Sequence, residues 1–166
     1  MIEKSTGIGY NEHTLRDRRK KIHIADVICA SMGRLVFMIR LENDALLAFS
    51  GDSITDGNRQ QCMDCNHIFG HGYQTVIAGR LGADNLDTRP KFLNMGHAGW
   101  TASMIFSKWE EEILPFKPGI ISILVGINDV IAGWRDQISA EQVSNAYLAC
   151  CREALERTHE ALPGVK

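Results

Sequence analysis

An α/β fold, with a parallel sheet carrying helices on both faces, is what this sequence predicts. Three observations carry the prediction. From residue 46 onward, short apolar runs alternate with longer amphipathic ones, the rhythm of strands joined by helical crossovers. One run, residues 119–125 (GIISILV), is almost continuously apolar, as expected of a strand covered on both faces. Each strand candidate also ends in glycines and small polar residues, at the edge where open parallel sheets bind ligands.

The elements follow in chain order. Residues 1–21 are polar and turn basic at Arg16, Arg18, Arg19, Lys20 and Lys21, which reads as a weakly ordered leader. No aromatic residue interleaves those charges as a nucleic-acid arm would require. Two β-capable runs, 22–33 and 34–42, pair as an expected hairpin through Ser31-Met32-Gly33. Residues 1–40 are therefore treated as an N-terminal extension and 41–166 as the domain proper. Residues 46–50 (LLAFS) predict a short buried strand, followed by a glycine-rich polar stretch to Gly72. Residues 73–81 predict a helix with Val76, Ile77 and Leu81 on one face. Residues 91–94 predict the second strand, and 102–114 an amphipathic helix bearing Met104, Ile105, Trp109 and Ile113. Pro115 and Pro118 stop that helix. After the 119–125 strand, residues 141–162 predict a long helix ended by Pro163-Gly164.

Bulk properties exclude several function classes. A chain of 166 residues, 45% hydrophobic and 23% charged, is an ordinary globular domain with a core of its own. A net charge of -2 gives no electrostatic reason to expect nucleic acid or an anionic membrane as partner. No apolar run approaches the roughly 18 residues of a spanning helix. The N-terminus lacks the apolar block of a secretory signal. The cysteines (Cys29, Cys62, Cys65, Cys150, Cys151) are odd in number and scattered, so a cytoplasmic, reducing location is expected. Cys62 and Cys65 have CxxC spacing, but they lie in a polar loop, and Cys150-Cys151 are adjacent, which is poor geometry for a second ligand pair. Neither metal nor cofactor is expected.

The chemistry lies at three strand ends: Gly51-Asp52-Ser53-Ile54-Thr55-Asp56-Gly57, then Asn94-Met95-Gly96-His97-Ala98-Gly99, then Gly126-Ile127-Asn128-Asp129. Each cluster alone reads as a turn or a capped helix start. Together they bring a serine hydroxyl, a glycine N–H and an asparagine amide to one sheet edge. Acyl transfer to serine needs that set: a nucleophile, and donors aimed at the developing oxyanion.

With those blocks in view, the sequence resembles the SGNH (GDSL-type) hydrolases from about residue 41 to 166. GDSITDG, NMGHAGW and GIND are similar to that family's first three blocks. The resemblance implies a flavodoxin-like three-layer α/β/α fold. It also implies Ser53 as nucleophile, with the Ser53 N–H, the Gly99 N–H and the Asn128 amide as the oxyanion hole. The stretches FGHGYQTVIAGRLGA and WEEEILPFKPGIISILVGINDV resemble the branch holding acetylxylan and other carbohydrate deacetylases. That implies a small acylated carbohydrate as substrate, with no nucleic acid or membrane as partner.

Two departures qualify the resemblance. The family takes its Asp and His from a DxxH block after the asparagine block, and residues 129–166 contain none. A C-terminally incomplete domain is therefore expected, with its sheet ending on an open apolar 119–125 edge that invites a second chain, a homo-oligomer included. His159 has Glu156 and Glu160 as neighbours and reads as surface, leaving His67, His71 and His97 to line the cleft. Trp100 stands where the branch often has a small polar residue. Three readings follow: an esterase, a homologue that binds carbohydrate or assembles without catalysis, and a flavodoxin-like nucleotide binder. The last is disfavoured because SGDSITDG has neither GxGxxG nor a P-loop lysine.

Overall fold

The computed structural model describes residues 41–59 and 67–166. The basic leader, the hairpin expected over 22–42 as far as residue 40, Cys29 and the Cys62–Cys65 pair lie outside the described residues. The elements run β1 (Leu46–Gly51), α1 (Ser53–Asp56), α2 (Tyr73–Asp84), β2 (Lys91–Gly96), α3 (Ala102–Ser107) and α4 (Trp109–Glu112). A 3₁₀ turn (Leu114–Phe116) then leads to β3 (Ile120–Leu124), α5 (Ile127–Arg135) and α6 (Ala140–Ala161).

The described strands form one parallel sheet in the order β2-β1-β3. The chain steps from β1 to β2 on one side, then back across β1 to β3. Parallel crossovers are right-handed, so the two opposite steps put α2 on one face and α3–α4 on the other. Gly51 pairs in register with Gly96 on one side and Leu124 on the other. All three strands therefore end level, and the clusters that follow them meet at one edge.

Continuous burial belongs to β1 rather than to β3. Leu47, Ala48, Phe49 and Ser50 are all buried, because β1 is central and covered on both faces. Ala48 joins a core of Ala102, Ile105, Phe106, Trp109, Ile113 and Ala154 between the sheet and α3, α4 and α6. Each large apolar side chain there contributes roughly 1.5–3 kcal/mol. The Trp109 indole N–H donates to Thr158 Oγ1 at 2.7 Å, and that hydroxyl donates to Ala154 O at 2.6 Å. On the opposite face Phe49 meets Phe69 and Tyr73 edge to face, at centroid distances of 6.2 and 6.0 Å.

Four expectations are corrected. The 119–125 run predicted a strand buried on both faces, yet β3 is half-buried and Leu124 is 43% exposed. Among the described strands it lies at the edge, as expected: beyond β1, its described partner is Lys166, which donates to Gly119 O and accepts from Ile121 N. That bond pattern is parallel, and it touches only the start of the strand. The helix expected over 102–114 is broken at Lys108, where ψ is 5°. Ser107 Oγ donates back to Met104 O at 2.7 Å there, competing with the helical ladder. In α2 the inward side chain is Gln74, while Val76 and Ile77 face solvent; the apolar spacing had pointed the wrong way. Finally, the helical start read in GIND opens a full helix, α5. Its Ile127, Val130, Ile131 and Trp134 are exposed, an apolar surface the sequence was not expected to present.

The long helix forms as predicted. Ser139 and Gln142 make a reciprocal capping box at its N-terminus, and Pro163 follows its end.

Candidate active site

The first cluster is built by a cap. Asp52 is buried and its carboxylate accepts the Ile54 N–H at 3.0 Å, opening the short helix α1. The turn-and-cap reading of Gly-Asp-Ser is thus correct, and its consequence is to present Ser53 at the first helical position, exposed.

The second cluster is pinned from below. Asn94 is buried at the end of β2, where its amide donates to Thr55 O and Phe69 O, each at 2.8 Å. Its side-chain oxygen accepts the Gly96 N–H at 2.9 Å. One side chain therefore ties α1, the segment before α2 and β2 together. Arg59 adds a bond to Gly96 O at 2.8 Å. Both residues were legible only as letters of a motif or a loop; their joining role needs the fold. At Gly99 the backbone turns with φ +82°, a region open to glycine at little cost.

The third cluster reaches back to the second. The Asn128 amide donates to Trp100 O at 2.9 Å, and the Asp129 carboxylate accepts the Ala102 N–H at 2.9 Å. The His97 N–H donates to Gly51 O at 2.8 Å, and the Asp52 N–H to Leu124 O at 3.4 Å. Each of the three loops is bonded to the other two.

What remains unbonded defines the chemistry. Among the described residues, neither the Ser53 N–H nor the Gly99 N–H has a hydrogen-bond acceptor. The Asn128 amide carries two hydrogens and spends one on Trp100 O. Ser53 Oγ has no partner among the described residues. The three predicted residues thus follow adjacent, level strand ends, each with donor capacity to spare.

The histidines have neighbours of their own among the described residues. His97 Nε2 lies 2.6 Å from Glu112 Oε2, and its ring stacks on Trp100. The rings of His67 and His71 pack edge to face, 4.2 Å apart. His159 is exposed on the last turns of α6, as its acidic neighbours predicted. No group of three or more His, Cys, Asp or Glu among the described residues is arranged to hold a metal ion, and no helix among them is long and apolar enough to cross a membrane.

An apolar cavity of about 580 Å³ opens between α5 and α6, lined by Val130, Trp134, Ile138, Val143 and Tyr147 among others. Gly126 and Asp129 border it, while Ser53, Gly99 and Asn128 are not among its lining residues. Burial, followed by the neighbouring Cys151, pushes the Tyr147 phenol above its ordinary range. Its hydroxyl donates to Val125 O at 3.2 Å. Burial likewise pushes the Cys150 thiol up to about 11, with Cys151 second in effect.

Comparison with known proteins agrees with this fold. The family model of the GDSL-like lipase/acylhydrolase family matches residues 49–166. An acetylxylan esterase of Geobacillus stearothermophilus is 36% identical over 91 residues, covering 54% of this chain and 40% of the relative. The crystal structure of Axe2, an acetylxylan esterase of the same organism, aligns with a TM-score of 0.64 at 27% identity, over 75% of this chain and 58% of Axe2. A GDSL-like lipase structure from Parabacteroides merdae aligns with a TM-score of 0.65 at 32% identity, over 77% and 59% of the two chains. The chain thus spans about two-fifths of the esterase matched by sequence and about three-fifths of these two structures. The structures called catalytic mutants of Axe2 replace a serine, an aspartate or a histidine.

Proposed function

The chain belongs to the GDSL-like lipase/acylhydrolase family, and on that premise we propose that it carries a serine esterase site for small acyl esters, acetyl above all, on carbohydrate. Ser53 Oγ attacks the ester carbonyl carbon, and the negative charge collects on the carbonyl oxygen. The Ser53 N–H, the Gly99 N–H and the second Asn128 amide hydrogen receive that charge. Collapse expels the sugar hydroxyl, which takes up the proton Ser53 gave to a base, and water then cleaves the acyl-serine. The supporting observation is the set of three spare donors on level, mutually bonded loops around an exposed serine.

A second reading rests on a specific observation. Ser53 Oγ meets no base among the described residues, which suits a homologue that binds acylated carbohydrate without turning it over. One experiment separates the two. Hydrolysis of 4-nitrophenyl acetate and of acetylated xylooligosaccharides is followed in the unmodified chain, in Ser53→Ala and in Asn128→Ala. The esterase reading expects Ser53→Ala to be inactive and Asn128→Ala to lose about 100- to 1000-fold in kcat, the usual cost of one oxyanion donor. Undiminished turnover in Ser53→Ala sinks it. Saccharide binding with no Ser53-dependent turnover supports the second reading.

A further inference from the structure

Two side chains that this reaction leaves idle face each other across the turn that holds Gly99. The Trp100 N–H donates to His97 O at 3.3 Å, closing a four-residue turn. Its third residue, Gly99, has φ +82°, while Ala98 has no positive φ; this is a type II turn. The Gly99 N–H belongs to the central peptide of that turn. Types I and II differ by a flip of that peptide, and glycine at the third position tolerates both. The direction of this donor is therefore set by whatever holds the turn.

The closing bond is long, and a Cβ at Gly99 would meet no atom within 4 Å, so neighbouring atoms do not wedge the central peptide. Bonds from the His97 N–H to Gly51 O and from the Asn128 amide to Trp100 O pin the ends of the turn, and the side chains of its first and fourth residues add to that hold. The His97 and Trp100 rings stack with centroids 3.9 Å apart and 11° between their planes. His97 is then fixed from another element by Glu112 on α4, at 2.6 Å, and Trp100 packs on the edge of the core.

We propose that His97 and Trp100 are positioning residues for the Gly99 N–H: their stack, anchored on Glu112, keeps the turn closed with that donor aimed at the oxyanion. The proposal rests on Gly99 serving as an oxyanion donor, and it gives the tryptophan at position 100 a purpose. Neither side chain touches the reacting atoms. Each acts through the backbone between them.

The test uses His97→Ala and Trp100→Ala, with His97→Phe and Trp100→Phe as variants that keep a stack. Two quantities are read: amide hydrogen exchange at residue 100, and kcat and KM for 4-nitrophenyl acetate with Ser53→Ala as the blank. Losing an aromatic pair should speed exchange at that amide about three- to tenfold. It should also lower kcat about 10- to 100-fold with KM within about twofold, as expected for a donor misplaced by a fraction of an ångström. Trp100→Phe should recover most of both, and His97→Phe, which keeps the stack but loses the Glu112 anchor, only part. Should Trp100→Ala fail to fold, His97→Ala carries the test, since its ring lies outside the core cluster. Unchanged exchange, or faster exchange with kcat intact, overturns the proposal and leaves the esterase reading standing. A rise in KM alone, or no recovery in the Phe variants, overturns it too. A chain with no Ser53-dependent turnover sinks the esterase reading and this proposal with it.

Discussion

Gly96→Ala probes how tightly the helix that carries Ser53 is seated. A Cβ on Gly96 would lie 2.2 Å from Asp56 N, 2.6 Å from Thr55 C and 2.7 Å from Asp56 Cα. These are backbone atoms of α1, so no side chain can swing aside. Restoring ordinary contact at 3.4 Å requires α1 and β2 to separate by roughly 1.2 Å. That movement stretches the 2.8 Å bond from Asn94 to Thr55 O beyond bonding range. Overpacking costs about 1–3 kcal/mol, and the one buried Asn94 amide hydrogen left without its Thr55 acceptor about 1–3 more. For a domain of this size the melting temperature should fall by roughly 8–20 °C. Ser53 rides on the same helical turn, and a shift near 1 Å is expected to reduce kcat on the order of 100-fold. Circular dichroism gives Tm, and 4-nitrophenyl acetate turnover is then measured well below it. Gly79→Ala is the control: nothing lies within 4 Å of its added Cβ, on a solvent-facing position of α2, and it should stabilise by about 0.5–1 kcal/mol. Wild-type Tm and turnover in Gly96→Ala would refute the reasoning. A lower Tm with intact turnover in the folded protein would show that this contact supports the fold without setting Ser53.

Two further outcomes are expected. Thr158→Val keeps the side-chain shape but leaves the buried Trp109 indole N–H unpaired, which should cost about 1–3 kcal/mol; a urea midpoint lowered by roughly 1 M checks it, and an unshifted midpoint contradicts it. The Cys150 thiol, raised from 9.0 to about 11, should hold its proton at pH 8, so iodoacetamide labelling localised by peptide fragmentation should be about 100-fold slower there than at an ordinary cysteine. Because the folded chain keeps this proton longer than the unfolded one, stability should decline as pH climbs from about 9 toward 11. Rapid labelling of Cys150 in the folded protein at pH 8 would contradict both statements.

The sequence was most informative where local chemistry decides the outcome. Strand ends were legible because glycine and small polar residues follow each apolar run. Ser53, Gly99 and Asn128 could be named because their motifs depend on caps and turns that span only a few residues, and the structure sets all three on neighbouring strand ends. Helix α6 was legible from Pro163-Gly164 after its end, while the Ser139–Gln142 capping box at its start emerged from the structure.

Errors arose where burial depends on neighbours distant in the chain. GIISILV was rightly expected at the sheet edge but looks like a strand covered on both faces, whereas it is half-buried and the less conspicuous LLAFSG holds the buried centre. Val76 and Ile77 looked like a core face until packing turned Gln74 inward. The apolar stripe on α5 was invisible as a surface, since periodicity reports that one face is apolar and cannot say which way it turns.

By itself, then, the sequence determined the α/β class and the ends of the strands and of the long helix, because those signals rest on contacts within a few positions. Only the tertiary structure decided that the three strands end level, that Asn94 and Arg59 bind the loops beneath the serine, and that His97 faces Glu112 and Trp100. Those depend on contacts between residues far apart in the chain, and no local pattern encodes which of many such contacts will form.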